Sequence, residues 1–187
     1  MRLGARSFFA FAAAFLAAGT SASHAAADVQ LGSALTTGAA LTDMRASNGP
    51  RVAYHLGGRF EALLLRDRAG QMALGPYVDV ATEAFDTFQA GGGLSWLLPV
   101  GEPVCVLSAG GFARTSRFGW EPGVQGTLFF GARSFNYHSA YSPSVGLFLQ
   151  GRYGFGDGKQ ADAILGVHVD LEYIALPFLF LYQAVAR

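Results

Sequence analysis

The sequence predicts an all-β chain: an antiparallel up-and-down transmembrane β-barrel of about eight strands, followed by a short apolar C-terminal tail. Three observations predict it. Apolar and polar residues alternate with period two along most of the chain, the spacing of side chains on one face of a strand. Turn chemistry rich in glycine, proline and asparagine punctuates that alternation. Of 187 residues 51% are apolar and 14% charged, with one lysine, so the polar faces carry too little charge to coat a water-facing wall.

Residues 1–27 are expected to be a secretory signal. Arg2 and Arg6 precede the apolar run from Phe8 to Ala18, and small residues follow. Ser23-x-Ala25 and Ala25-x-Ala27 both offer the pattern a signal peptidase reads, so cleavage is expected near 25 or 27. The run is far shorter than the roughly 20 residues of a spanning helix. No cysteine follows it, which excludes a lipid anchor on the new N-terminus. Thirteen basic residues less the two arginines, against thirteen acidic, leave a mature net charge of −2. That balance gives no electrostatic footprint for nucleic acid, and the lone Cys105 excludes a disulfide framework and every multi-cysteine metal site.

The barrel is expected over residues 28–176, with strands near Val29 to Leu41, Val52 to Arg66, Met72 to Phe85, Phe88 to Leu98, Val104 to Arg114, Glu121 to Arg133, Ser144 to Phe155 and Asp162 to Ile174. Most have the roughly 9 to 11 residues a tilted strand needs to cross a bilayer, and an even count permits closure. The last strand shows the rule: Ala163, Leu165, Val167, Val169, Leu171 and Tyr173 alternate with Ile164, Gly166, His168, Asp170 and Glu172. The turns fall at Asn48 to Pro50, Arg68 to Gly70, Asp86 with Thr87, Pro99 to Pro103, Phe118 to Trp120, Ser142 with Pro143, and Gly156 to Lys159. The tail, 177–187, opens on Pro177, which cannot donate to a ladder, and Phe178, Leu181, Tyr182 and Val185 have helical spacing. A short interfacial helix is expected there. An alternative register drops the first strand and closes the barrel with Leu179 to Arg187.

The faces decide the compartment. The polar face is built of glycine, serine, glutamine and few charges, as in Gln89, Gly91, Gly93 and Ser95, while the other carries Phe88, Leu94, Trp96 and Leu98. That composition suits an apolar face turned outward to lipid, with Tyr54, Trp96, Trp120, Tyr153 and Tyr173 towards strand ends as an aromatic girdle. Over Val29 to Ile174 the chain resembles the small eight-stranded bacterial outer-membrane barrels of the OmpA/OmpX type. The resemblance implies a bacterial outer-membrane location, outer-membrane lipid as surroundings, the barrel-assembly machinery as a partner in biogenesis, and a monomer. Many members end on an aromatic residue that closes the last strand and is read by that machinery, whereas this chain runs on from Leu176 to Arg187.

Candidate chemistry is sparse. His138 and Ser139, in a loop with Tyr137 and Tyr141, invite comparison with the outer-membrane lipid A deacylases, with Glu121 or Glu102 as orienting carboxylate. Those enzymes separate histidine and serine by one residue, where this chain has Ala140, so a structural tyrosine-rich loop is the reading preferred over hydrolysis. His24, His55, His138 and His168 show no metal-ligand spacing, so no metal is expected, and no cofactor motif is present. Gly91 to Gly93 and Gly110 with Gly111 lack the lysine of a phosphate loop and suit close approach inside a barrel. Arg59, Glu61, Asp79, Glu83, Arg133, Arg152, His168, Asp170 and Glu172 share the polar faces, so both signs are expected to converge in a narrow lumen with Gln125, Phe129, Phe148 and Gln150. A charge network that fills the interior and fixes register is expected there, in preference to a gated ion or proton path. The functional expectation is a non-enzymatic outer-membrane barrel serving envelope structure or surface interaction through its loops. The alternatives are a secreted soluble barrel holding an apolar ligand and a lipid-modifying hydrolase.

Overall fold

The computed structural model describes residues 29–44, 49–66, 69–101, 103–116, 119–135, 140–156 and 159–185. The signal segment, Glu102, His138 and Ser139 lie outside the described residues. Eight strands, β1 (Val29–Thr42), β2 (Arg51–Leu64), β3 (Ala73–Glu83), β4 (Thr87–Leu98), β5 (Val104–Ser116), β6 (Gly119–Arg133), β7 (Ser144–Gly154) and β8 (Ala161–Asp170), precede one helix, α1 (Leu171–Val185). Each strand pairs antiparallel with its neighbours in sequence, and β1 pairs with β8 to close the barrel. The alternative register is thereby overturned: β1 is built into the wall on both sides, and the tail is helical.

The register fixes the shape. Pairing followed from Val29 runs through Leu64, Leu74, Trp96, Leu107, Leu128, Leu149 and Leu165 and returns to β1 at Ala39, ten residues further on. With eight strands about 4.8 Å apart and about 3.3 Å per residue, that stagger sets a strand tilt near 40° and a wall radius of about 8 Å. Every side chain on this path is apolar and points outward, because one parity of residue faces out on every strand.

β1 begins and β8 ends at one rim, here the proximal rim; the opposite rim is distal. Strand β8 stops four residues earlier than its alternation suggests. Asp170 caps a helix instead, its Oδ1 accepting the Glu172 N–H at 2.8 Å, with Glu172 adding negative charge to the first turn. The cap satisfies backbone donors of the first helical turn, while the part of β1 that an extended 171–174 would pair is bonded at Leu31 to residues 140–142: β8 pairs β1 only from Ala34 to Leu41. Glu172 and Tyr173 consequently sit on α1 rather than in the wall. Inside α1, Pro177 removes the N–H that the Tyr173 carbonyl would accept.

The overhanging start of β1 takes a different partner. Residues 140–142, ahead of β7, lie alongside it: Leu31 N–H donates to the Ala140 carbonyl at 2.6 Å and Ser142 N–H donates to the Leu31 carbonyl at 2.9 Å. The distal β3–β4 turn also shifts, to Ala84–Asp86, two residues before its expected place. Ala84 and Phe85 both adopt positive φ (50° and 61°), the left-handed pair of a type I′ turn, and Asp86 N–H donates to the Glu83 carbonyl at 3.2 Å.

Candidate functional site: the polar lumen

The inward parity brings polar side chains from all eight strands into the barrel. At its two ends lie small apolar clusters, Leu63, Ala73, Leu97, Val104, Val106 and Phe129 proximally and Ala40, Ala53, Phe148 and Ile164 distally. Leu63, which breaks the alternation of β2 in composition, keeps its parity and is fully buried.

Between the clusters the charged groups are ion-paired or hydrogen-bonded. Arg133 donates to Glu61, and Arg59 lies 3.7 Å from the same carboxylate. The Arg59 guanidinium also donates to Ser95 (2.8 Å) and Ser108 (2.5 Å) and stacks 3.9 Å over Tyr77. Arg152 donates to Glu83 at 2.5 Å and to Gln150 at 3.0 Å. Asp79 accepts two contacts from Gln125 Nε2, at 2.9 and 3.1 Å, and Gln125 in turn accepts from Gln89 at 2.9 Å. Such pairing is what a narrow lumen demands, since an unpaired buried charge costs several kcal/mol.

Glycines make the space. A Cβ at Gly32 would lie 2.8 Å from Arg133 Nη2, and one at Gly154 would run into the Glu121 carboxylate. Small residues therefore accommodate long side chains that reach across the lumen, as at Gly32, or lean over from the neighbouring strand, as at Gly154, which is why glycine is so common at inward positions.

Two histidines are held in hydroxyl–imidazole contacts. His55 Nδ1 lies 3.1 Å from Glu83 Oε1 and its Nε2 lies 3.2 Å from Thr36 Oγ1. A carboxylate can only accept, so Nδ1 donates, and in the neutral ring Nε2 accepts from the threonine hydroxyl. His168 Nε2 is 2.9 Å from Ser144 Oγ, and its ring packs 4.8 Å from Phe129. Thr36, His55 and Glu83 thus have the connectivity of a nucleophile, a base and an orienting acid. Thr36, however, opens on a cavity with about 30 Å³ of room for the centres of water molecules. That space suits two or three waters, not an ester or an acyl chain.

The residues read from sequence divide as follows. Arg59, Glu61, Asp79, Glu83, Arg133, Arg152 and His168 point into the lumen. Asp170 is buried at the proximal rim, where it accepts from Tyr141 Oη at 2.5 Å as well as capping α1. Glu172 is corrected: it is an exposed residue of α1, outside the network, because the strand ends two residues before it. Glu121 does not stand near loop 134–143. It lies at the other end of β6, on the distal rim, where it pairs with Arg114 at 2.6 Å. Arg114 also pairs with Asp162. Neither Arg114 nor Asp162 was singled out in the sequence, although each continues an inward parity already visible at Phe112 and Ile164; they stand at strand ends, where alternation blends into turns.

Three groups outside the strands have shifted acidities. Burial, assisted by the hydrogen bond to Asp170, raises the Tyr141 hydroxyl above its ordinary value. Burial lowers Arg66 to about 10, still cationic at neutral pH, and its Nη1 donates to Gln30 at 2.8 Å. The Arg51 hydrogen bond holds Asp86 below the usual carboxylate range, in an exposed pair of small energetic weight.

Among the described residues no cluster of histidine, cysteine or acidic residues has the geometry to hold a metal ion. Comparison with protein-family models, with curated proteins and with solved structures gives no match.

Proposed function

We propose that this protein is an integral outer-membrane β-barrel whose lumen is filled by its own side chains, a non-enzymatic element of the cell envelope acting through structure and its loops. The observation that carries this reading is the inversion of polarity across the wall. Val78, Val80, Leu94, Leu147, Leu149 and Leu165 are 44–61% exposed on the outside, while arginines, carboxylates and glutamines are buried inside. A soluble barrel holding an apolar ligand would need the reverse arrangement. On β6 the exposed Trp120 and Phe130 stand ten residues apart, which at a tilt near 40° is about 25 Å of height, the extent of the apolar band of an outer-membrane barrel. The paired lumen and the small cavity favour a plug over a pore. The start of β1 and the end of β8 at one rim suit an exported barrel that inserts from the periplasm.

The test is fractionation after expression with the native N-terminal segment. The protein is expected in carbonate-resistant outer membranes and to migrate faster on gels when unheated. A freely soluble periplasmic monomer would sink the proposal.

A further inference from the structure

The helix α1 has an unusual surface for its place. Phe178, Phe180, Leu181 and Tyr182 are 65–72% exposed, and no charge occurs between Glu172 and Arg187. At 3.6 residues per turn, Glu172 and Gln183 fall on one line along the helix, within about 20° of each other. The remaining arc of roughly 300° is apolar. A helix that docks in a protein groove needs an apolar stripe on one side and a polar back; an arc this wide is matched by a surrounding apolar solvent. Its length, about 22 Å for 15 residues, is short of the ~30 Å hydrocarbon thickness. Its start is also fixed: Asp170, buried in the barrel, holds the first turn at the proximal rim, level with the outward-facing Trp96, Phe130 and Val145. Beyond that turn α1 leaves the wall, for Leu165 and Val167 on β8 remain exposed.

Resting on the membrane-barrel reading, we infer that α1 is a lipid-embedded collar: it lies parallel to the membrane plane in the leaflet at the proximal rim, sunk up to the line formed by Glu172 and Gln183, with Ile174 and Leu181 deepest. Under the export reading this is the periplasmic leaflet. The occupant of the apolar arc is phospholipid, and the helix fixes how deeply the proximal rim sits.

The test uses the full mature chain, Cys105→Ser, folded into phosphatidylethanolamine/phosphatidylglycerol vesicles. Single cysteines replace Ile174, Leu181, Gln183 or the wall residue Leu149 and carry a nitroxide, whose relative accessibility to oxygen and to a water-soluble nickel complex reports depth. Ile174 and Leu181 are expected at equal depth, and Gln183 about 10 Å shallower, one helix diameter. Phe178 replaces Leu181 if that variant does not fold. Water-exposed labels throughout α1 with Leu149 in lipid would overturn the collar and leave the membrane barrel standing; a water-exposed Leu149 would overturn both. A steady gradient of depth from Ile174 to Leu181 would mean an inclined helix and refute the planar placement. Dipolar broadening that vanishes on dilution with unlabelled protein, with Leu181 shielded from oxygen, would give the arc to a second copy instead.

Discussion

Leu149 offers the sharpest test of which way the wall faces. It stands at the centre of β7, five residues from Ser144 and five from Gly154, and is 50% exposed. Five residues at the barrel's tilt are about 12 Å of height, so its side chain projects at the midpoint of an apolar band about 25 Å tall. Leu149→Arg would place a guanidinium there, at an expected cost of about 2–4 kcal/mol in a bilayer. In water the same exposed position would tolerate the change within about 0.5 kcal/mol. Val52→Arg is the control: Val52 is 72% exposed near the distal rim, where the cost in a bilayer falls to about 0–1 kcal/mol. Urea unfolding from phosphatidylcholine vesicles, followed by the fluorescence of Trp96 and Trp120, measures both. Equal losses for the two variants, or less than about 0.5 kcal/mol for Leu149→Arg, would refute the outward-to-lipid assignment.

Other expectations concern the interior. Arg152→Met removes the guanidinium from Glu83 and should cost about 3–5 kcal/mol, while adding Glu83→Gln should recover much of it; a double variant as unstable as the single one would show that the pairing is not what matters. Tyr141→Phe removes hydrogen bonds to Asp170 and Ser33 and should cost about 1–3 kcal/mol near neutral pH. Because the folded state raises this hydroxyl above its unfolded value of 10.0, its contribution is complete below that pH and lost as pH climbs through the higher folded value. Denaturation profiles of wild type and Tyr141→Phe should therefore converge above pH 10, and a constant gap would contradict the assignment. Purified protein in planar bilayers should show no stable conductance, since the cavity beside Thr36 and His55 has room for a few waters and paired side chains from the surrounding strands cross the lumen; a reproducible ion-selective current would restore the channel reading.

The sequence by itself determined the strand count, the barrel class and most inward residues. Period-two alternation is a local property, so the parity of Arg59, Glu61 and Arg152 is readable from nearest neighbours. The same locality misled at the ends. Residues 171–174 continue the alternation, yet the part of β1 that would face them is bonded at Leu31 to residues 140–142, and the Asp170 side chain caps a helix instead. Only the tertiary structure decided which charges meet. Arg133 with Glu61, Arg152 with Glu83 and Arg114 with Asp162 join residues 72, 69 and 48 positions apart. Those pairings depend on the ten-residue stagger of the closed wall, a global quantity that no single strand encodes. The contact ahead of β7 was decided the same way: the first residues of β1 overhang β8, and residues 140–142 pair the backbone groups of Leu31 there.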